Sequence, residues 1–176
     1  MRFERILKEA VEKYQPKIEE LTDRKLGNVV VKPFYSHLED NILESLRVGL
    51  CLSTFSSEVN FAEIYTKDAA LGNPTIKFNN SLPLNLLPKR TIEYIGAHEL
   101  GHLVHIKDRT LEELLKLDNH MAECVADYIA TSVIGTPDIP FLKNRTYEHQ
   151  GYMQGTLERL KMTFKEAFPK LGFEVN

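Results

Sequence analysis

The sequence predicts an α+β fold with an N-terminal helix, a small mixed or antiparallel sheet, and helices that pack on that sheet. Apolar residues recur every three to four positions at the start, β-branched runs follow, and helical spacing returns after Pro88. A chain of 176 residues that is 43% hydrophobic suits a single domain. We expect residues 1–70 to hold the first helix and strands, 75–135 the central motifs, and 146–168 a C-terminal helix.

The N-terminal segment is predicted to be an amphipathic helix. Its apolar stripe continues to about Asp23, and Pro16 predicts an interruption or kink within it. After Gly27, the run V-V-V-K-P-F-Y predicts a strand that stops near Pro33.

The middle of the chain is less uniform. The pattern of residues 38–55 fits a helix in part and a strand in part, and we favour a short helix that passes into a strand near Arg47. F-A-E-I-Y-T (61–66) and T-I-K-F-N (75–79) predict two more strands.

Helices are predicted for the second half. Thr91 can cap a helix that runs to about Ile106, and a capping box predicts a short helix over 111–117. Asp118 or Asn119 can cap a third helix that ends at Gly135. The last amphipathic helix is predicted from Thr146 to Phe168.

Charge and composition exclude several classes of function. A net charge of −3 and a pI near 6.1 give no reason to propose nucleic acid or an acidic membrane surface as a partner. The charged N-terminus lacks the apolar core of an export signal, and no run of residues suits a membrane span. We therefore expect a cytoplasmic protein. Cys51 and Cys124 show no C-x-x-C spacing, and of the two alternatives, one bridge between them or two free, buried thiols, we favour the free thiols.

The segment G-A-H-E-L-G-H-L-V-H (96–105) carries the strongest chemical signal. The predicted helix is apolar around most of its circumference, and a buried glutamate there is costly unless a cation offsets its charge. His98 and His102 lie one turn apart on one face, where both imidazoles can bind one Zn²⁺. Glu99 is then placed to activate a water molecule. Without a metal, the same side chains would have to be hydrogen-bonded polar groups of the core.

A second helix supplies a third ligand. In N-H-M-A-E-C-V-A-D, Glu123 and Asp127 are four residues apart on one stripe, where two carboxylates repel each other. The placement is explained if Glu123 binds the metal and Asp127 accepts the ring N–H of a ligating histidine. Asp108 is the competing third ligand, because metzincin-like sites take a ligand six residues after the second histidine. Those sites need a glycine at the turn, where this chain has His105. We expect His105 to line the cleft or to be hydrogen-bonded in the core.

H-E-L-G-H followed after twenty residues by E-C-V-A-D resembles the gluzincin (thermolysin-like) zinc metallopeptidases. The match covers roughly residues 75–135, and the size and element order resemble the compact minigluzincins and a zincin-like packing. The resemblance implies that two histidines and the distal glutamate bind zinc, that the motif glutamate is the general base, and that the aspartate orients a histidine. In this chain these are His98, His102, Glu123, Glu99 and Asp127.

The resemblance also implies how substrate binds. Gluzincins bind an extended peptide along the edge strand before the motif helix, which here would be T-I-K-F-N-N, with Asn79 or Asn80 in contact with substrate. A hydrogen-bond donor for the developing oxyanion is also needed. We favour His149 among five candidates, which are Tyr94, His120, Tyr147, His149 and Tyr152.

Two functions follow as hypotheses. The first is a zinc metallopeptidase, a hydrolase that cleaves peptides or unfolded proteins. The second is a zinc-stabilised regulatory or interaction protein whose site is inactive or blocked, with the tail F-P-K-L-G-F-E-V-N (168–176) in the cleft at the fourth metal position. The sequence indicates neither the substrate nor the oligomeric state.

Overall fold

The computed structural model describes residues 2–34, 62–64, 74–79 and 84–173. Helices dominate these residues, and a small sheet accompanies them. In chain order the elements are α1 (Arg2–Thr22), β1 (Val30–Phe34), β2 (Ala62–Ile64), β3 (Thr75–Asn79), a 3₁₀ turn (Leu84–Leu86), α2 (Lys89–Ile106), α3 (Leu111–Leu115), α4 (Asn119–Ile134), α5 (Pro140–Leu160) and α6 (Phe164–Ala167).

The sheet is mixed, with strand order β1-β3-β2. β1 runs parallel to β3 with Val30 opposite Thr75, and β2 runs antiparallel to β3 with Ala62 opposite Phe78. Of the two alternatives that the sequence left open, the fully antiparallel sheet is wrong.

β3 is the central strand, which corrects the expectation that it forms an edge. It is paired with β1 along its whole length and with β2 over residues 76–78. The sequence pattern could not reveal this, because a strand's neighbours depend on pairing with distant segments. Pro33 also lies inside β1 and does not end it. β1 is an edge strand of the described sheet, and an edge tolerates a residue that lacks an N–H donor.

Close helix contacts set the position of α2. On one side α1 packs against it, and a Cβ atom added to Gly96 would lie 3.1 Å from Leu7 Cδ1. On the other side α4 packs against it, and a Cβ atom at Gly101 would lie 3.0 Å from the Cα atom of Ala126. The lack of a side chain at both glycines therefore lets the two neighbouring helices approach α2 closely. The α2–α4 contact brings the two motif helices together.

The helix starts agree with the predicted caps in part. The capping box of Thr110 and Glu113 is present, and Asp118 accepts the N–H of Met121 at the start of α4. Gly135 adopts a φ of 83° where α4 ends. Thr91 does not cap α2, because the helix already begins at Lys89 after Pro88, and Thr91 is buried in its first turn.

Two other helix predictions need correction. α1 continues through Pro16 without interruption, and residues on both sides of Pro16, such as Tyr14 and Ile18, are buried in the core. The predicted C-terminal helix of residues 146–168 is two helices, and the first begins at Pro140. Lys161, with φ 53° and ψ 39°, ends α5, and a second capping box between Thr163 and Glu166 begins α6.

The chain after α6 folds back toward the start of α4. The N–H of Asp118 donates to the carbonyl of Gly172 over 3.0 Å. Gly172 adopts a φ of 79°, which glycine adopts without steric cost. The predicted elements of residues 38–55 lie outside the described residues. Among the described helices, none combines the length and the apolar character that crossing a membrane requires.

Candidate metal centre

Three predicted ligands meet between α2 and α4. His98 and His102 project from α2, and Glu123 projects from α4 across the close helix contact. The Nε2 atoms of the two histidines are 3.0 Å apart. The Glu123 carboxylate lies 3.4 Å from Nε2 of His98 and 3.1 Å from Nε2 of His102. The three side chains form a group that could hold a metal ion.

The spacing of these atoms fits tetrahedral coordination. Metal–ligand bonds of about 2.0–2.1 Å in a tetrahedron place any two ligand atoms roughly 3.3 Å apart. The three observed separations, 3.0, 3.1 and 3.4 Å, lie close to that value. Two histidines and one carboxylate are also a donor set that Zn²⁺ takes at catalytic sites, where a fourth position stays open. The residues therefore fit this ion.

Asp127 holds the ring of His98 in a defined orientation. The Nδ1–H of His98 donates to Oδ1 of Asp127 over 2.7 Å, which leaves Nε2 directed at the metal position. A carboxylate behind a ligating histidine fixes the tautomer and raises the basicity of the ligand. The side chain of Asp127 has no solvent exposure, so its charge depends on such partners.

Three further side chains supply those partners. The Tyr94 hydroxyl donates to Oδ1 over 2.6 Å, the Nδ1–H of His149 donates to Oδ2 over 2.6 Å, and Arg145 approaches Oδ1 at 3.3 Å. Burial alone would raise the pKa of Asp127, but the positive charges of His98 and Arg145 and the hydrogen bonds hold it well below its usual range. Asp127 is therefore an anion at neutral pH.

The charges at the ligands favour a bound cation. Burial alone would lower the pKa of His98, but the carboxylates of Asp127 and Glu123 outweigh burial and raise that pKa to about 10. Burial alone would raise the pKa of Glu123, but His102 and His98 hold it well below its usual range. In the metal-free protein a proton on His98 thus supplies positive charge that a metal ion would replace.

Glu99 is buried beside the ligands on α2. Its pKa is raised, because burial opposes the charged form more strongly than the two neighbouring histidines favour it. Glu99 was predicted to be a buried residue of this helix, and the structure confirms that position. Its role as a general base stays a prediction.

His105 and Asp108, the two other candidate residues near the end of α2, do not belong to the group of three ligands. His105 is fully buried, and its Nε2–H donates to the carbonyl of Leu171 over 2.8 Å, so it belongs to the core. Burial lowers its pKa to about 4. Asp108 lies in the turn after α2 with a φ of 62° and belongs to neither of the metal-competent groups found among the described residues.

The five candidate oxyanion donors are not equivalent. Tyr94 is buried and already hydrogen-bonded to Asp127 and to Thr146, so it is not available. His149 reaches the centre through Asp127, which makes it a member of the same hydrogen-bonded network as His98. His120 lies next to His149, with ring centroids 5.4 Å apart, and Tyr152 packs against His120.

Two predictions concern substrate contacts. Asn79 is buried at the end of β3, and Asn80 lies outside the described residues. Because β3 is flanked on both sides, a substrate strand cannot pair along residues 76–78 while β2 is in place. The predicted β-augmentation of this strand is therefore wrong for that part of β3.

Arg145 is the site residue that the sequence analysis missed. It lies four residues before His149 on α5, and its guanidinium approaches both Asp127 and the Glu123 carboxylate, at 3.3 and 4.0 Å. The spacing in R-T-Y-E-H placed both side chains on one face of a helix. Nothing in that spacing indicated that this face would pack against the end of α4 that carries the ligands.

The described part of the C-terminal tail packs against the end of α2 and the turn that follows it. Phe173 contacts the ring of His105 and the guanidinium of Arg109, and Leu171 accepts the His105 hydrogen bond. Residues 174–176 lie outside the described residues.

Comparisons with protein-family models, with curated proteins and with solved structures found no significant match to this chain.

Proposed function

We propose that this chain is a zinc-dependent metallopeptidase that hydrolyses peptide bonds in peptides or unfolded proteins. The observation that carries the proposal is the convergence of His98, His102 and Glu123 at tetrahedral spacing, with Asp127 behind His98. The resemblance of the two motifs to the gluzincins supports the same activity.

Each residue has a chemical task in this proposal. His98, His102 and Glu123 would hold Zn²⁺, which when bound would lower the pKa of a water molecule and polarise the carbonyl of the scissile bond. Glu99 would accept a proton from the attacking water and deliver it to the leaving amine. Asp127 keeps Nε2 of His98 free for coordination, and Arg145 balances the charge of Asp127.

His149 is our candidate for stabilising the oxyanion. Asp127 accepts its Nδ1–H, which leaves Nε2 as the nitrogen that could face a substrate oxygen. To donate from Nε2, the ring would have to carry a proton on both nitrogens. The proposal assigns this role to a side chain on α5, and the site therefore needs the packing of α5 against α4.

The test is zinc content together with cleavage of an unfolded protein by the wild type and by Glu99→Gln. We expect at least one zinc ion per chain, and the same zinc content, in both proteins. The variant should lose cleavage by at least about a hundredfold, in the range that general acid–base catalysis supplies. Glu93→Gln is the matched control, because Glu93 lies on the same helix but pairs with Lys13 and Lys89. A zinc-free protein, or equal cleavage by Glu99→Gln, would refute the proposal.

The alternative is a zinc-binding regulatory or interaction protein whose peptidase-like site is blocked. The described tail residues pack against the buried His105, three residues after His102 on α2, so a block of the ligands would have to come from residues 174–176. Deletion of residues 174–176 leaves the packed residues in place, whereas a cut after Phe168 would also remove the buried Leu171. Cleavage that appears only after this short deletion would indicate a latent peptidase, and none in either form would favour the binding role.

A further inference from the structure

A second group of metal-binding side chains lies on the far side of Asp127. It consists of His120 and Cys124 on α4 and His149 on α5, and one ligand atom from each lies within 4.8 Å of the others. Cys124 is buried and free, whereas His120 is exposed, so the group can be reached from solvent.

The geometry of the group fits a metal ion with a sulfur ligand. Nε2 of His120 lies 3.7 Å from Sγ of Cys124. A tetrahedral ion with bonds of about 2.3 Å to sulfur and 2.0–2.1 Å to nitrogen would separate these atoms by roughly 3.6 Å. His120 and Cys124 are four residues apart on α4, the spacing that His98 and His102 have on α2.

The orientation of His149 is already set for coordination. Its Nδ1–H donates to Oδ2 of Asp127 over 2.6 Å, so Nε2 is the nitrogen left for a metal. Asp127 therefore orients one histidine of each group, His98 through Oδ1 and His149 through Oδ2. Contacts of the His120 ring with His149 and Tyr152, at centroid distances of 5.4 and 5.0 Å, hold the third ligand in place.

We propose that His120, Cys124 and His149 form a second metal site, distinct from the centre at His98, His102 and Glu123. A thiolate with two imidazoles selects borderline and soft cations such as Zn²⁺, Co²⁺ or Cu⁺ over Mg²⁺ or Ca²⁺. Since metal on Nε2 of His149 occupies the nitrogen that would otherwise contact a substrate oxyanion, occupation of the second site and that role exclude each other.

The thiol must lose its proton when the metal binds. Metal and proton compete for the sulfur, so metal binding releases a proton.

Cobalt identifies a sulfur ligand directly. Titration of the metal-free full-length chain with Co²⁺ at pH 8 should give an intense sulfur-to-cobalt charge-transfer absorption in the near ultraviolet. Cys124→Ser should abolish this band, and Cys51→Ser, which changes the only other cysteine of the chain, should retain it. A titration without the band, or a band that persists in Cys124→Ser, would overturn the proposal.

Two further variants test whether a change in the band could come from misfolding or from the first site. His120 is exposed, so His120→Ala should fold normally and weaken cobalt binding at the band by at least about tenfold, as expected for a lost ligand. Undiminished binding in His120→Ala would also overturn the proposal. In His102→Ala, which lacks a ligand of the first site, the band should remain. The second site is thus tested even if the peptidase proposal fails.

Discussion

Nδ1 of His98 lies 2.7 Å from Oδ1 of Asp127, and this hydrogen bond links α2 to α4 inside the core. It joins a residue of the H-E-x-x-H motif to one twenty-nine positions later in the chain. The bond leaves Nε2 of His98 facing His102 and Glu123. The orientation of this candidate metal ligand therefore depends on a residue outside the group of His98, His102 and Glu123.

The first prediction tests this bond. Asp127→Asn should weaken zinc binding by about 10- to 100-fold, because the amide no longer fixes the tautomer or raises the basicity of His98. Competition with a chromogenic chelator measures the affinity. Asp138→Asn serves as control, since Asp138 is exposed and pairs only loosely with Arg90 at 3.9 Å. An affinity equal to that of the wild type would contradict the assigned role of Asp127.

The second prediction concerns protons released by zinc. With a pKa of about 10, His98 is protonated in the metal-free protein at pH 7.5, and zinc must displace that proton. Zinc affinity should therefore rise by about tenfold per pH unit between pH 7 and 9, if one proton is displaced. Calorimetry in buffers of different ionisation enthalpy counts the protons. If zinc binding released no protons, His98 would be neutral before zinc binds.

The raised pKa of His98 also makes the stability of the metal-free protein depend on pH. A folded-state pKa above the unfolded value of about 6.5 stabilises the fold fully below pH 6.5, and this contribution is lost as pH rises through 10. Urea unfolding of the metal-free chain should therefore show falling stability between pH 8 and 10.5. The zinc-bound form should lack this part of the decline, because the metal has already replaced the proton.

The third prediction concerns His105. Its folded-state pKa of about 4 lies below the unfolded value, so its contribution is present above about pH 6.5 and lost as pH falls toward 4. The loss over this window is on the order of 3 kcal/mol. His105→Gln, which keeps an N–H donor for Leu171 but does not titrate, should lose less stability between pH 7 and 4.5. Equal losses in both proteins, measured by urea unfolding, would argue against a neutral buried imidazole.

The fourth prediction tests the close approach of α2 and α4. Gly101→Ala places a methyl group 3.0 Å from the Cα atom of Ala126, so the helices must separate. We expect a loss of about 1–3 kcal/mol in the free energy of unfolding and a weaker zinc affinity, because His102 moves away from Glu123. Gly151→Ala is the control on α5, since nothing lies within 4 Å of its added Cβ atom. That change should stabilise the protein by about 0.5–1 kcal/mol.

If Gly101→Ala kept both the stability and the zinc affinity of the wild type, the two helices would have enough freedom to accept the methyl group. The assembly of the ligands would then not depend on their close contact. Thermal unfolding with and without zinc distinguishes the two effects.

Local spacing was sufficient to predict which candidate ligands share a helix face and where several helices end. Four-residue spacing places His98 beside His102 on any regular helix, and side chains near a helix start can cap it locally, as Asp118 and the Thr110–Glu113 pair do. These predictions succeeded because each depends on residues within one or two turns. The division of the last helix at Lys161 was missed, although the capping box at Thr163 was a readable signal.

Tertiary structure decided the rest. The central place of β3, the approach of Arg145 to Asp127, and the grouping of His149 with His120 and Cys124 all join segments that are distant in sequence. Local spacing determines which side chains share a face of a helix, whereas the packing of whole elements determines which faces meet. The sequence alone therefore determined the candidate ligands on each helix, and only the packing of α2, α4 and α5 determined that one buried carboxylate orients histidines of both metal-competent groups.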